Sequence, residues 1–302
     1  MRGSTLAKDT AVPIDRIVNL LAAVTLFEMM VTIGLGVKVA DVAGVARDRR
    51  TVARALVANY LLVPAAAVGL LLLFHAAPLV AAGFLIVAVC PGAPYGPPFT
   101  GLAKGNVPLA VGLMLILAGS SAVAAPLLLR LLLPLVSGDQ QVEVDTAKMV
   151  ETLLEDQLLP LCAGLFLRHR LPALADRLVR PARALSLILN VALLGTILTI
   201  QFGLLVAIPP RAFGGMFLLV LAALAAGWLL GGPGRADRTA MVMAAAVRNA
   251  AVSLVIAMAS FPGTPAIVAT TAFGLFQTIA MALIALGWGR LARPGLEHDP
   301  EK

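Results

Sequence analysis

LVAAGFLIVAVCPGAPYGPPFTGLAKGN, residues 79–106, is an apolar run broken by Pro91, Gly92, Pro94, Gly96, Pro97 and Pro98. No continuous helix tolerates that density of proline and glycine, because each proline removes a backbone donor and its ring crowds the preceding turn. The flanks are as apolar as a bilayer core, so the break lies at membrane depth. Irregular backbone survives there only against protein or a water-filled cavity, and a transporter site is the common reason for it. A half-helix restarting near Tyr95–Pro98 aims free N–H groups and a positive dipole end at mid-membrane, which suits an anionic group. The prolines withhold some of those donors, so the pull is weaker than at a glycine-only break. The structural alternative is a re-entrant bend that only lets helices cross.

Composition agrees with this reading. Of 302 residues, 60% are hydrophobic and 13% charged, with a mean hydropathy of +0.96, whereas a water-soluble domain carries roughly 25% charged residues. That excludes a soluble enzyme. At roughly 20 residues per crossing the apolar content suffices for about nine spans. The long continuous apolar runs exclude a β-barrel, whose strands alternate over about ten residues. Nine helices are expected at 17–37, 52–74, 78–104, 106–134, 147–169, 182–205, 211–231, 237–261 and 264–290. The chain then divides into an external segment 1–16, a first repeat of four helices over 17–134, an external loop 135–146, a second repeat of five helices over 147–290, and a cytoplasmic tail 291–302. The uneven split fits two inverted repeats of five with one helix lost from the first.

Charge sets the orientation. The net charge is +7, and the loops after the first, third, fifth and seventh spans, with the tail, hold 16 of the 23 lysines and arginines, Arg47, Arg49, Arg50 and Arg54 among them. By the positive-inside rule the N-terminus is outside and the C-terminus cytoplasmic, in a plasma or inner membrane, and these basic loops report topology rather than nucleic-acid binding. The first sixteen residues lack the short apolar core of a removable signal peptide. Cys90 and Cys162 form no disulfide framework, and no catalytic triad, metal cluster or nucleotide loop is present, so neither enzyme activity nor a cofactor or metal is expected.

Two ions remain at mid-span. Arg248 lies in the eighth helix and Glu28 in the first, and a charge at the centre of a membrane helix costs about 2.5–3.5 kcal/mol on insertion scales. Such residues are functional by default; the structural alternative is that the two neutralise each other or bond to backbone carbonyls. Glu28, read as the lone acid inside the membrane, is the candidate for carrying a proton. The eighth span, TAMVMAAAVRNAAVSLVIAMASF over 239–261, has no glycine or proline. It therefore reads as an ordinary helix with one buried polar pair, Arg248 and Asn249. Asn190, Thr196, Thr199, Gln201 and Gln277 read as interhelical hydrogen-bonding residues that could also line a cleft.

Three motifs carry a resemblance. CPGAPYGPPFTGLAKGNVPLAVGLM at 90–114 is similar to the pattern CPGG-x-x-SN-x-x-T-x-LA-x-G-[ND]-x-x-LS-x-x-x-T of the bile acid:sodium symporter family. ANYLLVP at 58–64 is similar to its AQF-x-x-MP, and VRNAAVSLVIAMASF at 247–261 to its EVGMQNSGLA segment. The resemblance runs from about residue 27 to 290, and nine helices match members that lack the first of ten. It implies a panel domain, formed by the first, fifth and sixth helices, beside a core of the other six. Substrate would bind where the broken helices cross, and motion of core against panel would give alternating access.

The family's sodium ligands are not retained at the matching positions. Its Ser-Asn pair falls on Gly96 and Pro97, the next-helix Ser and Thr on Ala110 and Met114, the eighth-span Glu on Ala244, and the Gln on Arg248. Only Asn59, where the family has another Gln, keeps a side-chain oxygen, and sodium needs several. Arg248 reads as a tethered substitute for sodium or as a ligand of the substrate anion. Thr100 also matches, and a threonine at such a place commonly bonds back to its own helix. Cys90 matches the family cysteine and reads as a small buried hydrophobe.

The expectation is a secondary transporter of a small organic anion. Substrate would be bound by Pro94, Tyr95, Gly96, Arg248 and Asn249, and ion coupling would involve Arg248, Asn59 and Glu28. The alternatives are an arsenite-type or other exporter of related fold, a channel-like pore, or a non-transporting membrane sensor. Its partners would be the anion and the lipid bilayer.

Overall fold

The computed structural model describes residues 14–138, 144–206 and 208–291. Fourteen α-helices follow in order: α1 Ile14–Gly36, α2 Val39–Arg47, α3 Arg49–Val57, α4 Val63–Leu73, α5 Pro78–Val89, α6 Gly96–Leu102, α7 Val107–Ser137, α8 Thr146–Leu153, α9 Leu159–Arg170, α10 Pro172–Val206, α11 Pro210–Leu230, α12 Arg235–Ala246, α13 Ala250–Ser260 and α14 Pro265–Leu291. Two π turns join neighbours, Ala58–Leu62 between α3 and α4 and Leu154–Leu158 between α8 and α9. The described residues contain no strand. The N-terminal segment to residue 13, the middle of the 135–146 loop and the tail beyond 291 lie outside them.

Proline placement explains much of this segmentation. Pro78, Pro210 and Pro265 are the first residues of α5, α11 and α14, where a missing N–H costs nothing. Pro64 and Pro160 follow the two π turns instead. A proline ring crowds the carbonyl four residues back, here that of Tyr60 or Asp156, and a widened turn makes room for it.

Five helical stretches are long and apolar enough to cross a bilayer: Arg49–Leu73, Val107–Ser137, Pro210–Leu230, Arg235–Ser260 and Pro265–Leu291. A sixth is the bent pair Leu20–Gly36 and Val39–Arg47, whose axes turn by 82°. The chain is thus an all-helical, multi-pass membrane protein. By length and composition, however, the described residues give five or six spans where the sequence suggests nine. The expected 78–104 span is divided between α5 and α6, each too short to cross alone. The stretch from Thr146 to Arg170 carries Glu151, Glu155 and Asp156. The last two fall in its π turn. The helix at Val39–Arg47, expected as loop, is also new.

The helices pack as two groups. α1 lies against α9 and α10, while α4–α7 and α11–α14 pack on one another, chiefly α5 on α14 and α7, α11 on α12, and α6 on α7 and α12. α1 and α9 meet backbone to backbone: a Cβ on Gly164 would stand 2.3 Å from the Val31 carbonyl oxygen.

Candidate functional site at the crossing of two broken helices

The chain leaves helical geometry between α5 and α6, over 90–95, and between α12 and α13, over 247–249. The two gaps touch. The Asn249 N–H donates to the Cys90 carbonyl (2.8 Å), and Asn249 Nδ2 reaches toward the Gly92 carbonyl (3.5 Å). Gly92 has φ +81°, and a Cβ there would sit 2.4 Å from the Ala118 nitrogen of α7, so only glycine fits where this gap passes α7.

The second gap corrects the expectation of an ordinary eighth helix. No local breaker causes it. Asn249 caps the restart, its Oδ1 accepting the Val252 N–H (3.2 Å). Gln277 of α14 replaces the lost helical partners of Arg248: its Oε1 accepts the Arg248 N–H (3.1 Å) and its Nε2 donates to the Arg248 carbonyl (2.8 Å). Backbone groups freed at membrane depth must be satisfied by neighbours, and here a single amide serves both.

The Arg248 side chain is 2% exposed and fills the crossing. Nη1 donates to the Ala88 carbonyl (3.2 Å), and Nη2 donates to Asn59 Oδ1 and to the Ala245 carbonyl. Ala88 and Ala245 lie in the last turns of α5 and α12, where carbonyls lack helical partners and the dipole end is negative. The guanidinium thus sits where two negative helix ends converge. Asn59, in the first π turn, donates its Nδ2 to the Ala55 carbonyl (2.9 Å), which leaves its oxygen for the arginine. Among the described residues the Arg248 Nε has no partner.

The other matching positions gather beside this cluster. Gly96, Ala110, Met114 and Ala244 line a void of about 10 Å³ with Gly92, Ala93, Leu117, Met243 and Val247. Its wall offers no side-chain oxygen.

Glu28 stands apart. Its Oε1 accepts the Thr32 hydroxyl (2.7 Å) and its Oε2 the Ser186 hydroxyl of α10 (2.6 Å). It forms no ion pair with Arg248, so mutual neutralisation does not occur. Pro94 is half-buried, Tyr95 is 41% exposed and stacks toward Phe99 at 6.5 Å between centroids, and Gly96 is buried at the start of α6. Asn249 is 1% exposed. None of the five expected substrate residues lines a cavity of about 700 Å³ at the end of the molecule where α4 stops and α11 and α14 begin. Thr100 donates to the Gly96 carbonyl of its own helix (2.9 Å), and Thr196 and Thr199 likewise bond within theirs. Asn190 donates to the Ser186 carbonyl; the Gln201 side chain lies outside the described residues. Gln277 is the residue whose weight the sequence understated.

A model of the sodium bile acid symporter family matches residues 23–208, more than half of the chain. The chain belongs to that family. Two curated relatives point the same way. One is the uncharacterized sodium-dependent transporter YocS of Bacillus subtilis, 23% identical over 282 residues, covering 88% of this chain and 83% of the relative. The other is the probable chloroplastic sodium/metabolite cotransporter BASS2 of rice, 26% identical over 165 residues, covering 55% of this chain but only 38% of the rice protein. This symporter-family protein is accordingly a membrane transporter and not an enzyme.

Proposed function

We propose that this family member moves a small organic anion by alternating access without binding sodium, Arg248 standing where a coupling cation would otherwise sit. The observation that carries this is the guanidinium seated on Asn59 and on the Ala88 and Ala245 carbonyls. A fixed cation there supplies the charge and the donors that two converging helix ends require. Its burial and its three acceptors favour this role over direct binding of the anion. The apolar void beside it supports the same reading for the Gly96, Ala110, Met114 and Ala244 positions.

In this reading nine crossings form a 4+5 inverted repeat, with the N-terminus outside and the C-terminus cytoplasmic. The group of α1, α8, α9 and α10 acts as panel and the other helices as core. Pro94, Tyr95, Gly96 and Asn249 border the path beside the crossing. Glu28 is the candidate for proton coupling, and loss of the pH dependence of flux in Glu28→Gln tests it.

The deciding experiment is uptake of labelled organic anions into proteoliposomes, with sodium or choline as the sole external cation. Equal rates are expected. A rate that requires a sodium gradient overturns the proposal.

A further inference from the structure

α10 is longer than a bilayer core is thick. Its 35 residues reach about 52 Å at 1.5 Å per residue, against a hydrocarbon core of about 30 Å. Even a tilt of about 40° does not hide that excess, so one end stands in the headgroup layer.

Packing on α1 shows which end and at what level. Ser186 donates to Glu28 and Asn190 Nδ2 points to Met29 Sδ (3.8 Å), whereas Arg183 Nη2 and Val179 Cγ2 lie 3.3 and 3.7 Å from where a Cβ of Gly36 would stand. The two helices are therefore antiparallel, and α1 ends beside residues 179–183. There the chain turns by 82° into α2, out of the direction of a crossing helix and into the plane of the membrane surface. Arg170, whose guanidinium lies over the exposed Phe166 ring (5.3 Å to its centroid), adds the cation and aromatic typical of that layer.

At this level one face of α10 pairs charge with apolar surface. Arg177 and Arg180 are exposed, and by helical spacing they share a face with Leu187, Ile188 and Val191, which are 64%, 65% and 62% exposed. The opposite face turns Ala175, Val179 and Ser186 to the protein. Asp176, the sole carboxylate of α10, is paired with Arg168, and neither Arg177 nor Arg180 forms an ion pair among the described residues. The positive-inside rule accounts for cations near the end of a span, but not for two unpaired arginines aligned over a strip of exposed apolar side chains.

We propose that this face binds an anionic phospholipid, its phosphodiester on Arg177 and Arg180 and an acyl chain along Leu187, Ile188 and Val191. Guanidiniums one turn apart can each give two donors to one phosphate, and basic side chains at the end of a span attract anionic headgroups. The site is separate from the crossing and from the organic anion proposed above, so neither reading depends on the other.

The test is native mass spectrometry of the full chain extracted from vesicles of equimolar phosphatidylglycerol and phosphatidylcholine. The unmodified protein is expected to retain phosphatidylglycerol at least about fivefold over phosphatidylcholine, and in Arg177→Gln/Arg180→Gln the ratio should fall to within about twofold. Arg49→Gln/Arg50→Gln, which removes the same charge from exposed positions at the α2–α3 junction, should leave the ratio unchanged. Excess sn-glycerol 3-phosphate, which has the charge without the chains, should not displace the lipid. Melting curves show that each variant is folded.

Equal retention of the two lipids by the unmodified protein overturns the proposal. So does a preference that survives in Arg177→Gln/Arg180→Gln, or one that falls as far in Arg49→Gln/Arg50→Gln, the mark of diffuse attraction over the whole basic side. Displacement by sn-glycerol 3-phosphate overturns it as well and assigns the two arginines to a free phosphate ester.

Discussion

A guanidinium can serve several carbonyls from one planar group, whereas an amide offers an oxygen of its own. Arg248→Gln therefore converts the crossing from a filled site into a cage. Asn59 Oδ1, the Ala88 and Ala245 carbonyls and the new amide oxygen would surround the space that the guanidinium occupies. In this variant sodium chloride should raise the melting temperature relative to choline chloride at equal ionic strength, while the unmodified protein should show no difference. A variant as indifferent to sodium as its parent counts against the surrogate role. Gln277→Leu tests the support of the break. It strands the buried Arg248 N–H, which costs about 1–3 kcal/mol when unmet, and leaves the Arg248 carbonyl with the Ala250 N–H alone (3.0 Å). A loss of about 1–3 kcal/mol is expected in denaturant unfolding, above that of a leucine substitution on a lipid-facing surface. Arg248 and Asn249 were legible as a buried polar pair because a charge and an amide stand out in an apolar run. Gln277 was not, because its task is defined by a backbone gap 29 residues away in sequence.

The two breaks differ in how they are encoded. The one at 90–95 is written locally, in prolines and glycines that no helix accommodates. The one at 247–249 is written in its partners, Cys90, Gln277 and the Asn249 cap, so residue types within the span do not reveal it. The Asn before an apolar run is a helix-start signal, and beside it stood only the resemblance of 247–261 to the family segment, which implies a second broken helix. α2 was missed for a related reason: nine residues beside a basic stretch read as loop. The start of α3 carries a pH signature. Asp48 accepts the Thr51 hydroxyl and the Thr51 N–H (3.1 Å), and these bonds, the hydroxyl's foremost, hold its carboxyl below the ordinary carboxylate range. A lowered folded-state value means that the cap's stabilisation is complete above the unfolded value, about 3.9, and fades as pH falls through the folded one. Asp48→Ala should thus melt below the parent at pH 7, with the gap closing as both are acidified below the ordinary carboxylate range.

At the scale of the molecule, one amide joins the two helix groups. Gln157, in the second π turn, donates its Nε2 to the Ala118 carbonyl (2.5 Å) and to Ser121 Oγ (3.0 Å) of α7. If core and panel separate during transport, these bonds break in each cycle. Gln157→Ala should speed amide hydrogen exchange around 118–125 in α7 while leaving exchange in α13 unchanged. The helical, multi-pass character was legible in outline, because long apolar runs stand out from the polar loops, but which faces meet depends on small residues such as Gly164 whose neighbours no periodicity names. The corner between α1 and α2 has a mechanical meaning of its own. α1 belongs with α9 and α10, whereas α2 rests on α7, with Val45 Cγ2 2.5 Å from where a Cβ of Gly112 would stand. Only Val37 and Lys38 separate them, and two residues of chain stretch to about 7 Å at most. The polypeptide is thus a short leash: translation at that end is capped, and the corner becomes a pivot. α1, about 34 Å long at 1.5 Å per residue, becomes the lever whose far end sweeps widest, toward the cavity rim where Val18 already stands.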